Sequence, residues 1–334
     1  MIEVPEELKP RGSGPSAPPR RPGSVRRTVT LDFTWPDGLR GDTVLDGRAR
    51  DLRTNEDGSA TVLAEASLGL VSDARRVVRR ISSTPSLPGR QALVGESAMS
   101  GFRRRLSEVP AAAAATGMPL YQLLDDVPGA TLVSGVAWQG WSDLDRYLEV
   151  KADVKRRVMT DVCTGYQQGS SALNPDGTLR WMQDRHPAAG LDVPGDASAW
   201  HELPDPPGVT MRRARRIDAW ADGPVLRVDA FFQDSASLPG GGRRVAVHEY
   251  TLTAEADLAD GTLRAVSPAA GVLPYRECPL AVRNVAALAG LPLSELRGEV
   301  LRRLAGPLGC THLNDMLRSL AAVPELARQA RDGR

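Results

Sequence analysis

The fold is decided by the stretch Met211-Arg-Arg-Ala-Arg-Arg-Ile217 and the strand that follows it. Apolar side chains occupy every second position from Leu226 to Phe232, a period that is typical of a β-strand with one buried face. The pattern predicts a further strand over 245–253, and the turn Ala259-Asp260-Gly261 comes shortly after it. Three helices are predicted next, over the ranges 279–289, 294–305 and 311–322. Strands followed by helices predict an α+β fold.

The same order of strands and then helices occurs earlier in the chain, between Val25 and Asp126. Three pairs of segments resemble one another: Val25-Arg-Arg-Thr-Val29 and Met211-Arg-Arg-Ala-Arg-Arg-Ile217, Asp46…Asp51 and Asp229…Asp234, and Gln122-Leu-Leu-Asp125 and His312-Leu-Asn-Asp315. Because the offset between them is nearly constant, we interpret the chain as two related lobes that arose by internal duplication. The first lobe has Leu120 and Gln122 where the second has Cys310 and His312, so the chemistry is predicted to lie in the second lobe.

The chain divides into five predicted regions: a disordered tail over residues 1–24, an N-terminal α+β lobe over 25–137, a Trp- and Pro-rich connector over 138–210, a C-terminal α+β lobe over 211–326 that carries the Cys and His residues, and a short tail over 327–334. The first tail is rich in Pro, Gly, Ser and Arg and lacks the apolar residues that a core needs. The connector contains Trp138, Trp141, Trp181 and Trp200, and we expect it to lie across the lobes and to wall a pocket.

The composition excludes several classes of protein. With 334 residues, 41% hydrophobic and 25% charged, the chain is not collagen-like, coiled-coil or largely disordered. A formal net charge of +1 predicts no nucleic-acid partner, and the basic runs 103–105 and 211–216 are interpreted as solvated faces. Three cysteines are too few for a disulfide framework, and the sequence shows neither a signal peptide nor an apolar run of about 18 residues. We therefore predict a cytoplasmic protein without membrane contact, and leave homo-oligomer formation open.

The densest chemical signal lies in two motifs, Leu273-Pro-Tyr-Arg-Glu-Cys278-Pro and Gly306-Pro-Leu-Gly-Cys310-Thr-His312-Leu-Asn-Asp315. Cys278 and Cys310 each directly precede a predicted helix, where the helix dipole and free N–H groups favour the thiolate that a nucleophile or metal ligand needs. His312 falls in the first turn of the last helix, at the edge of its apolar stripe. The alternative is that both cysteines are core residues and that His312 only completes the helix N-terminus.

Further candidates lie on the preceding strands. His248 shares a strand face with apolar residues and Tyr250, and Asp234 continues the apolar parity of its strand, so both are predicted to point inward. A core histidine and a turn aspartate are the alternatives for these two. With Tyr250, two residues of the first motif, Tyr275 and Glu277, are candidate substrate-binding residues. The other histidines are predicted to be exposed and the other cysteine to have no direct role: His186, His201 and Cys163.

The C-terminal third resembles a known bacterial family on the strength of Val247-His248-Glu249-Tyr250 and the two cysteine motifs. The family is called domain of unknown function 2889, and the similarity covers about Met211–Leu326, with Gly309-Cys310-Thr-His312-Leu as its most specific part. The family name implies no activity. A fainter resemblance is to NifU-type or SufE-like folds, and the NifU-type scaffolds among them bind an iron–sulfur cluster or zinc through cysteines. It implies that Cys278 and Cys310 fill two ligand positions near His312, although no cysteine precedes the His248 strand here.

Three hypotheses follow for the function. The first is an enzyme of catabolism or specialised metabolism that acts on an apolar or aromatic small molecule by acid–base chemistry, as a lyase, isomerase or hydrolase. His312 would be the base and Asp234 or Glu277 the acid or orienting group, with Cys310 and His248 completing the candidate catalytic set. The second is a metal-binding protein, with a zinc or iron ion held by Cys278, Cys310 and His312, and with His248 as an optional further ligand. The third is a non-catalytic scaffold or interaction protein. No GxGxxG, P-loop, HExxH, GxSxG or CxxC motif is present, and we expect either no cofactor or a single zinc or iron ion.

Overall fold

In the computed structural model, residues 2–142, 157–180 and 186–331 are described, and their strands form one antiparallel sheet of nine. The strand order is β4-β3-β2-β1-β6-β7-β8, and both β5 and β9 pair with the remaining edge of β8. The strands are β1 (Val25–Thr34), β2 (Thr43–Thr54), β3 (Ala60–Ser72), β4 (Val78–Thr84), β5 (His186–Pro187), β6 (Thr210–Asp222), β7 (Val225–Ser237), β8 (Arg244–Asp257) and β9 (Leu263–Ala270). With the helices on one face, the predicted α+β fold is confirmed.

Strands β1 and β6 join the two predicted lobes into one continuous sheet. Their antiparallel register places Arg26 opposite Asp218 and Asp32 opposite Arg212. Both pairs are buried salt bridges: Arg26 Nε lies 2.6 Å from Asp218 Oδ1, and Arg212 Nε lies 2.7 Å from Asp32 Oδ1. Each half gives one arginine and one aspartate to the junction, so the two halves meet about an approximate twofold axis between β1 and β6.

Helices cover one face of this sheet and enclose most of the apolar core. They are α1 (Phe102–Ser107), α2 (Pro110–Ala114), α3 (Pro119–Ser134), α4 (Leu296–Arg303), α5 (Thr311–Ser319) and α6 (Val323–Arg331). In the first half Phe33 packs with Leu123 of α3, and in the second half Phe232 packs with Leu317 of α5. Each such fully buried side chain contributes about 1.5–3 kcal/mol to stability. Within the described ranges, no helix is long and apolar enough to cross a membrane.

The C-terminal helices differ from the predicted ones in two places. The range 279–289 forms 3₁₀ turns over Cys278–Leu288 rather than an α-helix. The last helix stops at Ser319, and after a 3₁₀ turn the chain continues into α6. Residues 327–331, predicted to be a tail, belong to α6, where Ala327 and Ala330 are buried beside Leu326 against the sheet.

The connector residues 191–203 cover the opposite face of the sheet, whereas its residues 172, 173 and 179 join the core on the helix-covered face. Trp200 packs edge-on against Phe231 of β7, with ring centroids 6.4 Å apart. The next residue, His201, is only 7% exposed, and each of its ring nitrogens lies 2.8 Å from a hydroxyl oxygen, of Thr28 and of Thr30. The prediction that His201 is exposed is therefore wrong, because two threonines on β1 satisfy both nitrogens and make burial acceptable.

The connector also walls a cleft of about 820 Å³, whose lining includes Trp141, Leu203 and Arg212. Trp141 and Leu203 belong to the connector, so this part of it borders a pocket as expected. Trp181, which was part of the same prediction, lies outside the described residues.

The N-terminal segment lies on this same face. Ser16 and Ala17 are buried, and Arg20 Nε lies 2.8 Å from Asp196 Oδ2 in the connector. Gly14 N donates to Glu249 Oε1 over 2.9 Å. Residues 1–24 are predicted to be a disordered tail because they are poor in apolar side chains, whereas residues 11–24 are held on the sheet mainly by polar contacts of this kind.

The basic run 211–216 forms part of β6 at the centre of the sheet. Arg213 and Arg215 are fully buried, and they pair with Asp234 and Asp126 at 2.8 and 2.7 Å. The interpretation of this run as a solvated face is wrong, because buried carboxylates from β7 and α3 neutralise its charges.

Candidate functional site

Three candidate residues from distant parts of the sequence meet on the helix-covered face of the sheet. Asp234 on β7 lies directly opposite His248 on β8, and both side chains share the face that carries Phe232. His312 is in the first turn of α5, directly above these strands. The side chains of Asp234, His248 and His312 are 1%, 8% and 12% exposed. The prediction that Asp234 and His248 point inward is confirmed.

The two imidazoles converge on one oxygen of the carboxylate. His248 Nδ1 lies 3.5 Å from Asp234 Oδ2, and His312 Nε2 lies 3.8 Å from the same atom. The rings stack with centroids 3.4 Å apart and planes inclined by 16°. Both separations exceed the 2.7–3.2 Å of a normal N–H···O hydrogen bond. We call Asp234, His248 and His312 the His–His–Asp centre.

Arg213 on β6 fixes the carboxylate of this centre. Its Nε and Nη2 donate to Asp234 Oδ1 and Oδ2 over 2.8 and 2.9 Å, and its Nη1 donates to Asp315 Oδ2 over 2.8 Å. Burial disfavours a charged Asp234, yet the charge and hydrogen bonds of Arg213 hold the pKa of Asp234 well below its usual value. Asp234 is therefore an ionised orienting group and not the general acid that the sequence left open.

Asp315 accepts hydrogen bonds from Arg213 and Arg103, and so extends this network of buried charges from the centre toward the surface. Its Oδ1 accepts a hydrogen bond of 2.7 Å from Arg103, a residue of α1 that is 25% exposed. Burial opposes the charged form, but Arg103 and Arg213 lower the pKa of Asp315 to about 2. Gly129 of α3 makes room for this contact, since a Cβ there would lie 1.8 Å from Asp315 Oδ2. The network thus ties α1, α3, α5 and β6 together.

Both imidazoles are neutral at neutral pH. Burial lowers the pKa of His312 well below 6.5, and the neighbouring His248 lowers it further. Burial also lowers the pKa of His248, although Asp234 opposes the shift. A neutral imidazole has a free nitrogen lone pair, so each ring can accept a proton or bind a metal ion.

The cysteines form a separate group beside this centre. A Cβ at Gly165 would lie 2.5 Å from Cys278 Sγ and 3.9 Å from Cys163 Sγ, so both thiols face the same glycine. The hydroxyl of Tyr250 lies next to the thiol of Cys310, which directly precedes α5. Burial raises the pKa of Cys278 well above its usual value and also raises that of Cys310. The predicted thiolates are therefore wrong for the free protein, because desolvation outweighs the helix-end effect of about 0.3–1 kcal/mol.

Two candidate substrate-binding residues lie away from the His–His–Asp centre. Glu277 is buried and accepts hydrogen bonds from Ser171, at 3.1 Å from its backbone nitrogen and 2.7 Å from its hydroxyl. Tyr275 packs edge-on against Tyr166, and its hydroxyl donates to the Arg180 carbonyl over 3.2 Å. Glu277 is thus a structural partner of the 170–171 turn and not an acid for His312.

Donor atoms that lie close enough to share one metal ion belong to Asp234, His248 and His312. Each of the three residues offers one ligand atom, and these atoms all lie within 4.8 Å of one another. Among the His, Cys, Asp and Glu residues of the described ranges, this is the group that meets that condition. The set predicted from the sequence, Cys278, Cys310 and His312, does not meet this condition. His312 and the optional ligand His248 are common to both sets, and Asp234 takes the place of the two thiols.

Sequence reasoning missed the part that Arg213 and Asp315 play. Arg213 is grouped with a basic run and Asp315 is given no role of its own in the sequence analysis, although both positions carry a usable signal. Arg213 has the strand parity of Met211 and Ile217, which are buried, and Asp315 follows His312 by three residues on one helix. The parity of β6 alone would have predicted an inward-facing arginine that needs a carboxylate.

The part of the chain that carries the His–His–Asp centre matches a known protein family. Residues 211–325 match a family described as a protein of unknown function, DUF2889. The resemblance of the C-terminal third to this family is confirmed. No curated protein and no solved structure matches the chain, and the NifU-type resemblance gains no support.

The His–His–Asp centre, Arg213 and Asp315 all lie inside the DUF2889 region, whereas Arg103 lies outside it. Next to the region's last long motif is a cavity of about 160 Å³, with Cys163, Asn314 and Asp315 in its lining. Neither this cavity nor the connector cleft is lined by the two imidazoles of the centre. At 12% exposed, His312 is the most exposed of the three side chains of the centre.

Proposed function

We propose that this protein is an enzyme that converts an apolar or aromatic small molecule by acid–base chemistry, with the His–His–Asp centre as its active site. The observation that carries the proposal is the convergence of two neutral, buried imidazoles on one ionised carboxylate. Perturbed pKa values produced by burial and a specific charge partner are concentrated at functional sites.

The energetic cost of this arrangement supports a functional role. His248 Nδ1 and His312 Nε2 are buried, and within the described ranges neither has a hydrogen-bond partner. Leaving a buried polar atom unsatisfied costs about 1–3 kcal/mol. A leucine or phenylalanine at either position would avoid this cost, so packing alone does not explain the pair.

The chemistry proposed is proton transfer of the kind used by lyases, isomerases and hydrolases. The two imidazoles supply proton acceptors, and Asp234 orients them while Arg213 keeps it ionised. We assign Cys310 no role in proton transfer, because burial raises the pKa of its thiol and keeps it neutral. The alternative is a non-catalytic or metal-binding protein that uses the same three residues.

The proposed centre exists only in the second half of the sheet. In the first half, Arg27 pairs with Asp51 at 2.6 Å, as Arg213 pairs with Asp234 in the second. The residue opposite Asp51 on the next strand is Ala64, where the second half has His248. We propose that the halves arose by duplication and that the first half was retained as a structural partner. We also propose a cytoplasmic location, which the free state of all three cysteines supports.

Untargeted turnover measurement tests the enzyme proposal. Purified protein is incubated with a small-molecule extract of bacterial cells, and the extract is followed by liquid chromatography and mass spectrometry. We expect at least one metabolite to be consumed by the wild type and at least about tenfold more slowly by His312→Asn, because general acid–base groups contribute about 10²–10⁴-fold. His186→Asn is the matched control, since His186 is exposed and lies on β5.

Equal turnover by the wild type and His312→Asn would remove His312 from the active site. No turnover of any metabolite, with extracts from several growth conditions, would favour the non-catalytic alternative.

A further inference from the structure

We infer that Asp234, His248 and His312 together bind one divalent transition-metal ion, Zn²⁺ or Fe²⁺. The inference deepens the proposed function, because it names the cofactor of the same centre. It replaces the ligand set that the sequence suggested, in which two thiols accompanied His312.

The distances within the centre fit an ion better than they fit hydrogen bonds. Asp234 Oδ2 lies 3.5 Å from His248 Nδ1 and 3.8 Å from His312 Nε2. An ion with bonds of about 2.0–2.2 Å to nitrogen and oxygen in tetrahedral geometry holds its donors about 3.3–3.5 Å apart. The two distances to Asp234 Oδ2 therefore need to change by only a few tenths of an ångström, and all three donor atoms already lie within 4.8 Å of one another.

The atoms that face the carboxylate oxygen are also the ones without partners. In the described part of the chain, His248 Nδ1 and His312 Nε2 make no hydrogen bond, and the two side chains are only 8% and 12% exposed. A bound ion would satisfy both lone pairs at once.

Asp234 retains a donor position for the ion. Its Oδ2 accepts one hydrogen bond, from Arg213 Nη2. An ionised carboxylate oxygen has two acceptor positions, so Oδ2 can bind an ion while Arg213 stays in place. An arginine that holds a ligating carboxylate has the orienting role that outer partners of metal ligands usually have.

Binding requires one change in the rings. The imidazoles are stacked at 16°, and a nitrogen lone pair lies in the plane of its ring. Two parallel rings cannot both direct their lone pairs at one point, so one imidazole has to rotate as the ion binds. Phe232 lies 6.4 Å from the His312 ring, centroid to centroid, and forms part of the apolar surroundings of this movement.

The ligand count points to a catalytic ion. Three protein ligands leave a fourth position for water or substrate, as in catalytic zinc sites, whereas structural zinc sites have four protein ligands. Mixed nitrogen and oxygen donors suit zinc or iron, and the absence of thiol donors argues against a structural zinc or a cluster. With the ion bound, both imidazoles would be ligands and no longer the proton acceptors of the metal-free centre, and the ion would supply acid–base chemistry through a water in its open position.

Metal analysis of the full chain tests the inference. The protein is purified without a polyhistidine tag, stripped with a chelator, dialysed against Zn²⁺ or Fe²⁺ in separate samples, desalted and analysed by elemental mass spectrometry. We expect about one ion per wild-type chain for at least one metal, and at least a tenfold loss of affinity in His248→Gln and in His312→Gln. His186→Gln, the exposed control, should retain the wild-type content.

A measurement on the wild type alone covers the case in which a variant fails to fold. Co²⁺ added to the stripped protein should give the intense visible absorption of a four-coordinate site, and Zn²⁺ should displace it. Less than about one tenth of an ion per chain with both metals and no cobalt spectrum would overturn the inference, as would full metal content in both histidine variants.

The same experiments separate the inference from the proposed function. Stoichiometric metal without turnover of any metabolite would support the ion and reject the enzyme. Turnover that survives complete removal of metal would support the enzyme and reject the ion as its cofactor, while metal content and the cobalt spectrum decide whether the ion binds.

Discussion

Replacing His201 with glutamine should make the protein less sensitive to acid. His201 is 7% exposed, and both of its ring nitrogens contact threonine hydroxyls of β1. Burial lowers the pKa of His201 to about 3, and the positive charges of Arg50 and Arg212 act in the same direction. The folded protein therefore holds this ring in its neutral form.

The magnitude follows from the difference between the folded and unfolded pKa values. Above pH 6.5, the ordinary pKa of a histidine in the unfolded chain, the ring is neutral in both states, and its titration does not affect the free energy of unfolding. Below pH 6.5 the unfolded chain binds a proton that the folded chain does not, so stability is lost progressively until the pH reaches the folded pKa of about 3. At about pH 5 the loss is about 2 kcal/mol, from about 1.5 pH units at 1.36 kcal/mol each.

Urea denaturation at about pH 7.5 and about pH 5 measures this effect. At the higher pH, His201→Gln should be less stable than the wild type by about 1 kcal/mol, because it loses a hydrogen bond. At the lower pH its deficit should shrink by about 2 kcal/mol and change sign. His186→Gln is the control and should show no such change, since His186 is exposed. A deficit of His201→Gln that is the same at both pH values would refute the reasoning.

Two further predictions concern Gly129, which packs against Asp315, and the buried thiols of Cys278 and Cys310. Gly129→Ala should lower stability by about 3–5 kcal/mol, because its Cβ would force Asp315 away from its arginine partner, whereas Gly298→Ala in α4 has open space and should raise stability by about 1 kcal/mol. Thermal unfolding of both variants checks the opposite signs, and a common sign would contradict the network. Cys278 and Cys310 should react with a thiol reagent at about pH 8 only after unfolding in urea, because burial holds them as neutral thiols. Rapid labelling of the native protein at either position would show that they are reactive.

The fold class could be read from alternation and turn residues because these are local properties. Residues at every second position of β7 are buried, and the turn at Gly58 lies where Glu56-Asp57-Gly58 predicts a hairpin between β2 and β3. The inward direction of Asp234 and His248 follows from the same period of two. This direction can be predicted without knowing which helices pack on the strand, because side chains alternate between the two faces of any β-strand.

The state of the cysteines could not be read in this way. Cys310 does lie directly before an α-helix, whereas Cys278 begins a run of 3₁₀ turns, and the field of a helix end is worth less than the cost of burying a charge. The depth of burial of Cys278 and Cys310 depends on residues more than 100 positions away, such as Cys163 and Gly165. Sequence neighbours carry no information about that depth.

The sequence by itself determined an α+β chain, the strand parity that turns Asp234 and His248 inward, and a C-terminal region that matches the DUF2889 family. Only the tertiary structure decided that the two lobes form one sheet, that Arg213 holds Asp234, and that His312 completes a centre with them. The physical reason is that strand parity follows from local backbone geometry. The convergence of donor atoms depends on strand register and helix docking, which are set by the packing of the whole core.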